Sequence, residues 1–382
     1  MSTTFKMFQP SPVRMRGLAT ASILGAFIFV IGLFVDPLRA WSGYLMAFIY
    51  FVEMGLAGGL FLCALTLSSA RWATALRRIP EAMTASLPYA FMFGLLLMGG
   101  VSTIYEWSHA AVVEADPLLK GKASYLNGGF FFLRLVVFFL LWIWLTRGMV
   151  SVSRRQDHGD DAVLARSRFR YAALFLPIFA ITFSLASIDW IQSLEPHWFS
   201  TIFGLVTLSS AGMSGLAICM LLVVYLRDRG AMRKTVTADH LDDIGKICIG
   251  FALFWGYIWF CQYMLIWYTN MPEETPYYAL RHQGSWQVLT WVNVTLNWAV
   301  PFFVLMPKAA RRSGTVLTRV AIVMLIGQAL NLYILVGPPL LGDEPIYGLW
   351  EFAPVVGALT FFLWCTLRAL TQAPIVPTTG LD

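Results

Sequence analysis

A chain of 382 residues that is 58% hydrophobic and only 13% charged, with a mean hydropathy of +0.68, lies outside the range of water-soluble domains. Its formal charge of +6 does not mark a nucleic-acid partner, because no Lys/Arg stretch stands clear of the apolar runs to build a basic groove. Composition thus excludes a soluble domain and points to an integral membrane protein.

A bilayer core about 30 Å thick takes about 20 apolar residues per helix. That ruler predicts ten spans, at 17–35, 43–68, 87–105, 128–147, 171–190, 201–226, 246–269, 286–306, 318–336 and 350–370. No stretch alternates with the period of two that a β-barrel needs, so the fold class is all-α. Residues 1–16 and 372–382 read as tails flanking a membrane domain over 17–371. Of the 27 Lys and Arg, all but five fall in the tails and in every second connection. The exceptions are Arg39, Lys120, Lys122 and Arg281 in the alternate connections and Arg134 inside a span. This asymmetry predicts that both termini are cytoplasmic and that the acidic connections lie outside.

The first span follows Lys6, Arg14 and Arg16 as a signal peptide would, but "DPLRAWSG" after it offers no small-residue cleavage site, so a retained helix is expected. In the second span, "IYFVEMGLAGGLF" places Glu53 about 15 Å below the outer end, at 1.5 Å per residue. A carboxylate there costs about 2.5–3.5 kcal/mol on insertion scales. It reads as a proton relay or, more plainly, as a neutral carboxyl bonded to a neighbouring helix. Gly55, Gly58 and Gly59 would let another backbone come close.

The next outer connection, "YEWSHAAVVEADP", contributes Glu106 and His109, which join Glu53, Arg134 and the acidic residues of the other outer connections as proton-relay candidates, against the plainer reading that such loops are merely poor in Lys and Arg. In the fourth span, "GGFFFLRLVVFF", Arg134 either snorkels to the surface or pairs with a carboxylate such as Glu53 or Glu106. Between the fifth and sixth spans, "SIDWIQSLEPHWFST" carries Asp189, Glu195 and His197, candidates for a proton exit or a docking point, with helix capping as the plainer role. Trp190 and Trp198 in the same stretch read as interfacial anchors. The seventh span is dense in aromatics; Trp255, Tyr257, Trp259 and Tyr263 are the candidates for contact with a quinone ring, against a plain role in packing. Asn293, Asn297, Gln328, Asn331 and Gln262 read as glue between helices.

Several chemistries are disfavoured. His109, His197 and His282 fall in outer connections and His158 and His240 in inner ones, leaving no histidine in a span for haem b. Cys63, Cys219, Cys248, Cys261 and Cys365 lie in apolar segments with no short spacing, which removes CxxC and iron–sulfur patterns and metal sites built on them. No glycine-rich phosphate loop or nucleophile motif is present, and the sequon at Asn293 falls within a span. The chain is therefore expected to bind no cofactor tightly itself. Spans two to five and six to nine have connections short enough for each set to form an antiparallel four-helix unit, leaving the first and last spans peripheral.

"IDWIQSLEPHWFSTIFG" and "FALFWGYIWFCQYMLIWYTNMPEET", with "YLNGGFFFLRLVVFF" and "SWQVLTWVNVTLNWAVPFFVLM", resemble the F-subunit family of bacterial alternative complex III, within the wider group of NrfD-like polysulfide-reductase and nitrite-reductase membrane subunits. The resemblance covers nearly the whole chain. It implies ten transmembrane helices with two four-helix bundles, in the bacterial inner membrane, as a subunit of a quinol:cytochrome c oxidoreductase. It also implies partners: an NrfD-like C subunit, an iron–sulfur B subunit, a multihaem cytochrome c subunit, small membrane subunits, lipids and in some cases a terminal oxidase. Haem c and iron–sulfur clusters would then lie in those partners, with menaquinone or ubiquinone as the quinone. Two other readings stand beside it. A secondary transporter would show helices broken at the midplane, which Pro177 and Pro301 do not clearly mark. An NrfD-like membrane anchor of a molybdopterin oxidoreductase would share the fold.

Overall fold

The structure, a computed structural model, describes residues 7–159, 162–233 and 235–377; Lys6, Lys234 and the outermost parts of both tails lie outside them. Among the described residues ten helices are long and apolar enough to cross a membrane. They are α1 (Pro12–Val35), α2 (Pro37–Leu67), α3 (Trp72–Ile104), α4 (Gly128–Arg155), α5 (Ala162–Leu194), α6 (Phe203–Asp228), α7 (Ala238–Thr269), α8 (Gly284–Leu305), α9 (Gly314–Leu341) and α10 (Leu349–Ala369). Among the described residues there is no strand. The protein is an all-α integral membrane protein.

Local chemistry sets the helix starts. Asp36 caps α2 by accepting from the Arg39 N–H, and Pro37 at the first position needs no partner for a missing N–H. Asn127 caps α4 through Phe130 N–H, and Ser313 caps α9 through Val316 N–H. Thr237 and His240 form a reciprocal capping box on α7. Several helices run past their predicted bounds: α2 begins at Pro37, behind the Asp36 cap, and α3 reaches back to Trp72 through alternating 3-10 and α turns. The predicted spans follow bilayer thickness, whereas the helices run on into the capping segments.

Helices α2, α3, α4 and α5 pack in one ring, and α6, α7, α8 and α9 in another. The outer pair, α1 and α10, lie together against α2. This is two antiparallel four-helix bundles plus two peripheral helices. The bundles join where α2 crosses α6, with α5 and α9 flanking the crossing. Accordingly the apolar stretches of α2 and α6 are 78% and 83% buried, while that of α1 is only 17% buried. At the crossing a Cβ on Gly215 would overlap the Cβ of Ala57, so only glycine allows this approach. The expected approach of another backbone is found at Gly58, against Pro80 O and Thr84 N, whereas at Gly55 the side chains of Ser86 and Leu87 and at Gly59 those of Phe175 and Thr146 take the space. With an even number of spans the first and last described segments fall at the same end of the molecule, where Met7 and Val376 line one hollow. We call it the basic end, since Arg14, Arg77, Arg154, Arg229 and Arg311 gather there.

Candidate functional site

Glu53 occupies the middle of the 31-residue α2 and is 1% exposed. Among the described residues its one side-chain hydrogen-bond partner is the Ser214 hydroxyl of α6, which donates at 3.5 Å, so the carboxyl lies at the seam between the bundles. One turn away the Tyr50 hydroxyl donates to Leu325 O at 2.9 Å and ties α2 to α9. Among the described residues no cation is in ion-pair range of Glu53. A charge at this depth would have, among the described residues, no counter-ion and one long hydroxyl contact to hold it, which makes burying it there costly.

Arg134 does not snorkel, and its carboxylate is neither Glu53 nor Glu106. It donates to both oxygens of Asp189 on α5, at 2.7 and 2.8 Å, and to Tyr125 O at 3.0 Å, with the Tyr125 and Phe130 rings 3.9 and 4.4 Å away. The bidentate, stacked geometry makes it a lock between α4 and α5. Glu195 is held in the same manner by Arg281, at 2.7 and 3.3 Å. A third fork joins Arg39 of α2 to the fully buried Glu351 of α10. His197 contacts Asp116 at 2.5 Å, in an exposed pair. The His197 hydrogen bond, with help from the Leu118 and Leu119 N–H groups and against partial desolvation, holds the Asp116 carboxyl below its usual range. Glu106 and His109 are exposed. Of the relay candidates, Arg134 and Asp189, Glu195, and His197 are thus divided among separate pairs, Glu106 and His109 stand outside them, and among the described residues none of these bonds to Glu53.

Trp190 and Trp198 are buried, at 3% and 5% exposure, and do not anchor a membrane surface. Trp190 packs against Phe48, Phe139 and Trp142, and Trp198 stacks on Tyr277 with centroids 3.9 Å apart. Of the four quinone-contact candidates, Trp255, Trp259 and Tyr263 form a one-sided ladder with centroids 6.4 and 6.1 Å apart, continued by Tyr278 and His282. Tyr257 is 64% exposed and stands apart from that ladder. The four do not converge on one ring-sized slot.

One constellation escaped the sequence reading, and a second was read there only as glue between helices, without its order. At the basic end Glu81, 2% exposed, accepts from Arg78 and from the Ser153 hydroxyl, with Arg77 at 3.5 Å and Asp157 also on Arg78. The i,i+3 and i,i+4 spacing in "RRIPEAM" is the signal that points to it. Within the second bundle the amides join into one chain: Gln328 donates to Asn297 at 2.8 Å, Asn297 to Asn293 at 2.7 Å, Asn293 to Asn331 at 3.1 Å and Asn331 to Ser210 at 3.1 Å. The Trp255 indole N–H also donates to Ser210. Glue between helices is what Asn293, Asn297, Gln328 and Asn331 provide, whereas Gln262 Nε2 is buried with no hydrogen-bond partner among the described residues. Ser210 lies one helical turn from Ser214, so α6 presents Glu53 and the amide chain with hydroxyls on one face.

Among the described residues no group of three or more His, Cys, Asp or Glu could hold a metal ion. No protein-family model matches the chain, and no curated protein matches it.

Proposed function

We propose that this chain is a membrane subunit of a quinol:cytochrome c oxidoreductase of the alternative complex III kind, scaffolding the complex in the bacterial inner membrane and relaying protons through Glu53. The observation that carries the relay is Glu53 itself, buried at the bundle seam with, among the described residues, Ser214 as its one side-chain partner and no counter-cation. The pairing of two four-helix bundles with two peripheral helices supports the family resemblance, and the basic end supports placing both termini in the cytoplasm. In this reading the haem c and iron–sulfur centres belong to partner subunits, which exchange electrons with menaquinol or ubiquinol. The arginine forks at the far end keep the surface that faces those partners in fixed shape.

Extraction in mild detergent is expected to bring haem-bearing and iron–sulfur subunits along with this chain; a chain that purifies alone and stable overturns the assignment. Within the complex, Glu53→Gln keeps the shape and removes the proton-exchanging group. Proton-coupled quinol turnover is expected to fall at least tenfold with assembly intact, and unchanged turnover rejects the relay.

One observation favours a second reading, a solute transporter. In α8 a π turn at Thr295–Ala299 precedes Pro301 and sits beside the buried Asn293, Asn297 and Gln328. Solute uptake by the isolated chain in liposomes distinguishes it.

A further inference from the structure

At the basic end two hollows meet across Tyr225. The first, about 590 Å³, runs between α1, α6, α9 and α10; its wall is hydrocarbon from Leu18, Leu221 and Leu367, and Arg14 stands at its mouth. The second, about 510 Å³, lies between the segment before α1, the end of α6 and residues 375–376, with Gln9 and Arg229 on its lining. Both guanidinium groups sit against the one ring, Arg14 at 5.0 Å and Arg229 at 5.8 Å from its centroid. Both arginines are exposed, and neither is ion-paired to a carboxylate of the described residues. Asp228 is the acidic residue of the first lining, so the two arginines leave the mouth net positive.

A leucine-walled cleft between membrane-spanning helices takes hydrocarbon, and two unpaired guanidiniums at its mouth take an anion. One class of molecule in a bilayer has both parts in this order. We propose that the joined hollows bind one anionic glycerophospholipid, with an acyl chain along the leucine wall between α1, α6 and α10 and its phosphate between Arg14 and Arg229. Gly17 also lines the first hollow, and a side chain there would meet nothing within 4 Å, so the cleft is open from α1.

The test is lipid titration of the full chain purified in mild detergent together with whatever subunits accompany it, read by native mass spectrometry, with phosphatidylglycerol and phosphatidylcholine of the same acyl chains. Phosphatidylglycerol is expected to bind in preference, and Arg14→Ala and Arg229→Ala each to lower that preference about fivefold. Gly17→Phe keeps the arginines and fills the cleft, and is expected to reduce binding of both lipids; circular dichroism and size exclusion check that it folds. Equal binding of the two lipids to the unaltered chain overturns the proposal. Glycerol phosphate binding as tightly as phosphatidylglycerol overturns it in favour of a simple anion site. Unchanged lipid binding in Gly17→Phe overturns the acyl-chain placement.

Discussion

Arg281 engages all its donors. Nε donates to Ile334 O, Nη1 to Glu195 and Tyr277 O, and Nη2 to Glu195 and Leu335 O, five bonds for the five N–H groups a guanidinium has. Two of those carbonyls have a specific need. Pro338 and Pro339 lie inside α9 and lack the N–H groups that would bond Ile334 O and Leu335 O in an α-helix. Arg281 supplies the donors the double proline removes, and the Tyr277 ring stacks 3.6 Å from its guanidinium. Arg281→Ala would leave two carbonyls and Glu195 short of partners. Because Glu195 is 21% exposed at its side chain, the loss of stability should fall toward the lower end of about 3–5 kcal/mol, measured as thermal unfolding in detergent. Arg281→Lys should recover only part, since three ammonium donors cannot reach five acceptors. Full recovery by lysine counts against this account. The neighbouring His282 carries a pH signature. Burial first, and the Arg281 charge second, depress its pKa below the usual 6.5. The unfolded chain therefore takes up a proton as pH falls through about 6.5 and the folded chain only at lower pH, so stability declines as pH falls below about 6.5. Replacing His282 with Gln should flatten the melting temperature between pH 7.5 and 5.5; an unchanged slope assigns the effect to other groups.

At the scale of the element, α8 departs from regular geometry where its polar side chains cluster. Val300 N–H bonds Thr295 O, one residue beyond the α register, and the Asn297 amide takes Asn293 O at 3.1 Å. Pro301, one turn after Asn297, has no N–H to return the helix to its usual bonding there. Gly327 of α9 makes room for this turn, because a Cβ there would lie 2.7 Å from Asn297 Oδ1. Gly327→Ala should displace that amide and break its bond to Gln328, costing about 0.6–1.7 kcal/mol, the range for hydrogen bonds between membrane helices. In an Asn297→Ala background the same change should cost almost nothing, and a double-mutant cycle measures the difference. Equal costs in both backgrounds would mean that Gly327 serves backbone packing alone. The amides were legible in the sequence as polar residues in apolar spans, and their order was not: a hydrogen-bond chain across three helices depends on rotations that spacing leaves free. The same limit applies to Arg134. Its need for a carboxylate could be read from its position in a span, but Asp189 lies 55 residues away, and only the packing of α4 on α5 selects it over Glu53 or Glu106. Trp190 and Trp198 illustrate the converse. A tryptophan near a span end usually marks the membrane surface, and here a neighbouring helix or loop covers both.

For the whole molecule, ten spans and their antiparallel order were legible because bilayer thickness and hydropathy act on each segment alone. The joining of two four-helix bundles was less so, since it turns on one contact between distant segments, the crossing of α2 and α6. That crossing also positions the proposed relay, because Ser214, the partner of Glu53, precedes Gly215, whose missing side chain lets α6 rest on Ala57. A methyl group at Gly215 must push the bundles apart, and water offers no compensation inside a bilayer. Gly215→Ala is therefore expected to destabilise by about 1–3 kcal/mol, the usual effect of overfilling a packed interior. Gly250 of α7 is the matched control, since a Cβ there meets nothing within 4 Å. Differential scanning fluorimetry should show a lower melting temperature for Gly215→Ala and none of that loss for Gly250→Ala. If both variants melt with the unaltered protein, the seam tolerates separation and the two bundles are held together elsewhere. If the expected difference appears, the α2–α6 crossing is what makes two bundles one molecule, and the burial of Glu53 follows from it.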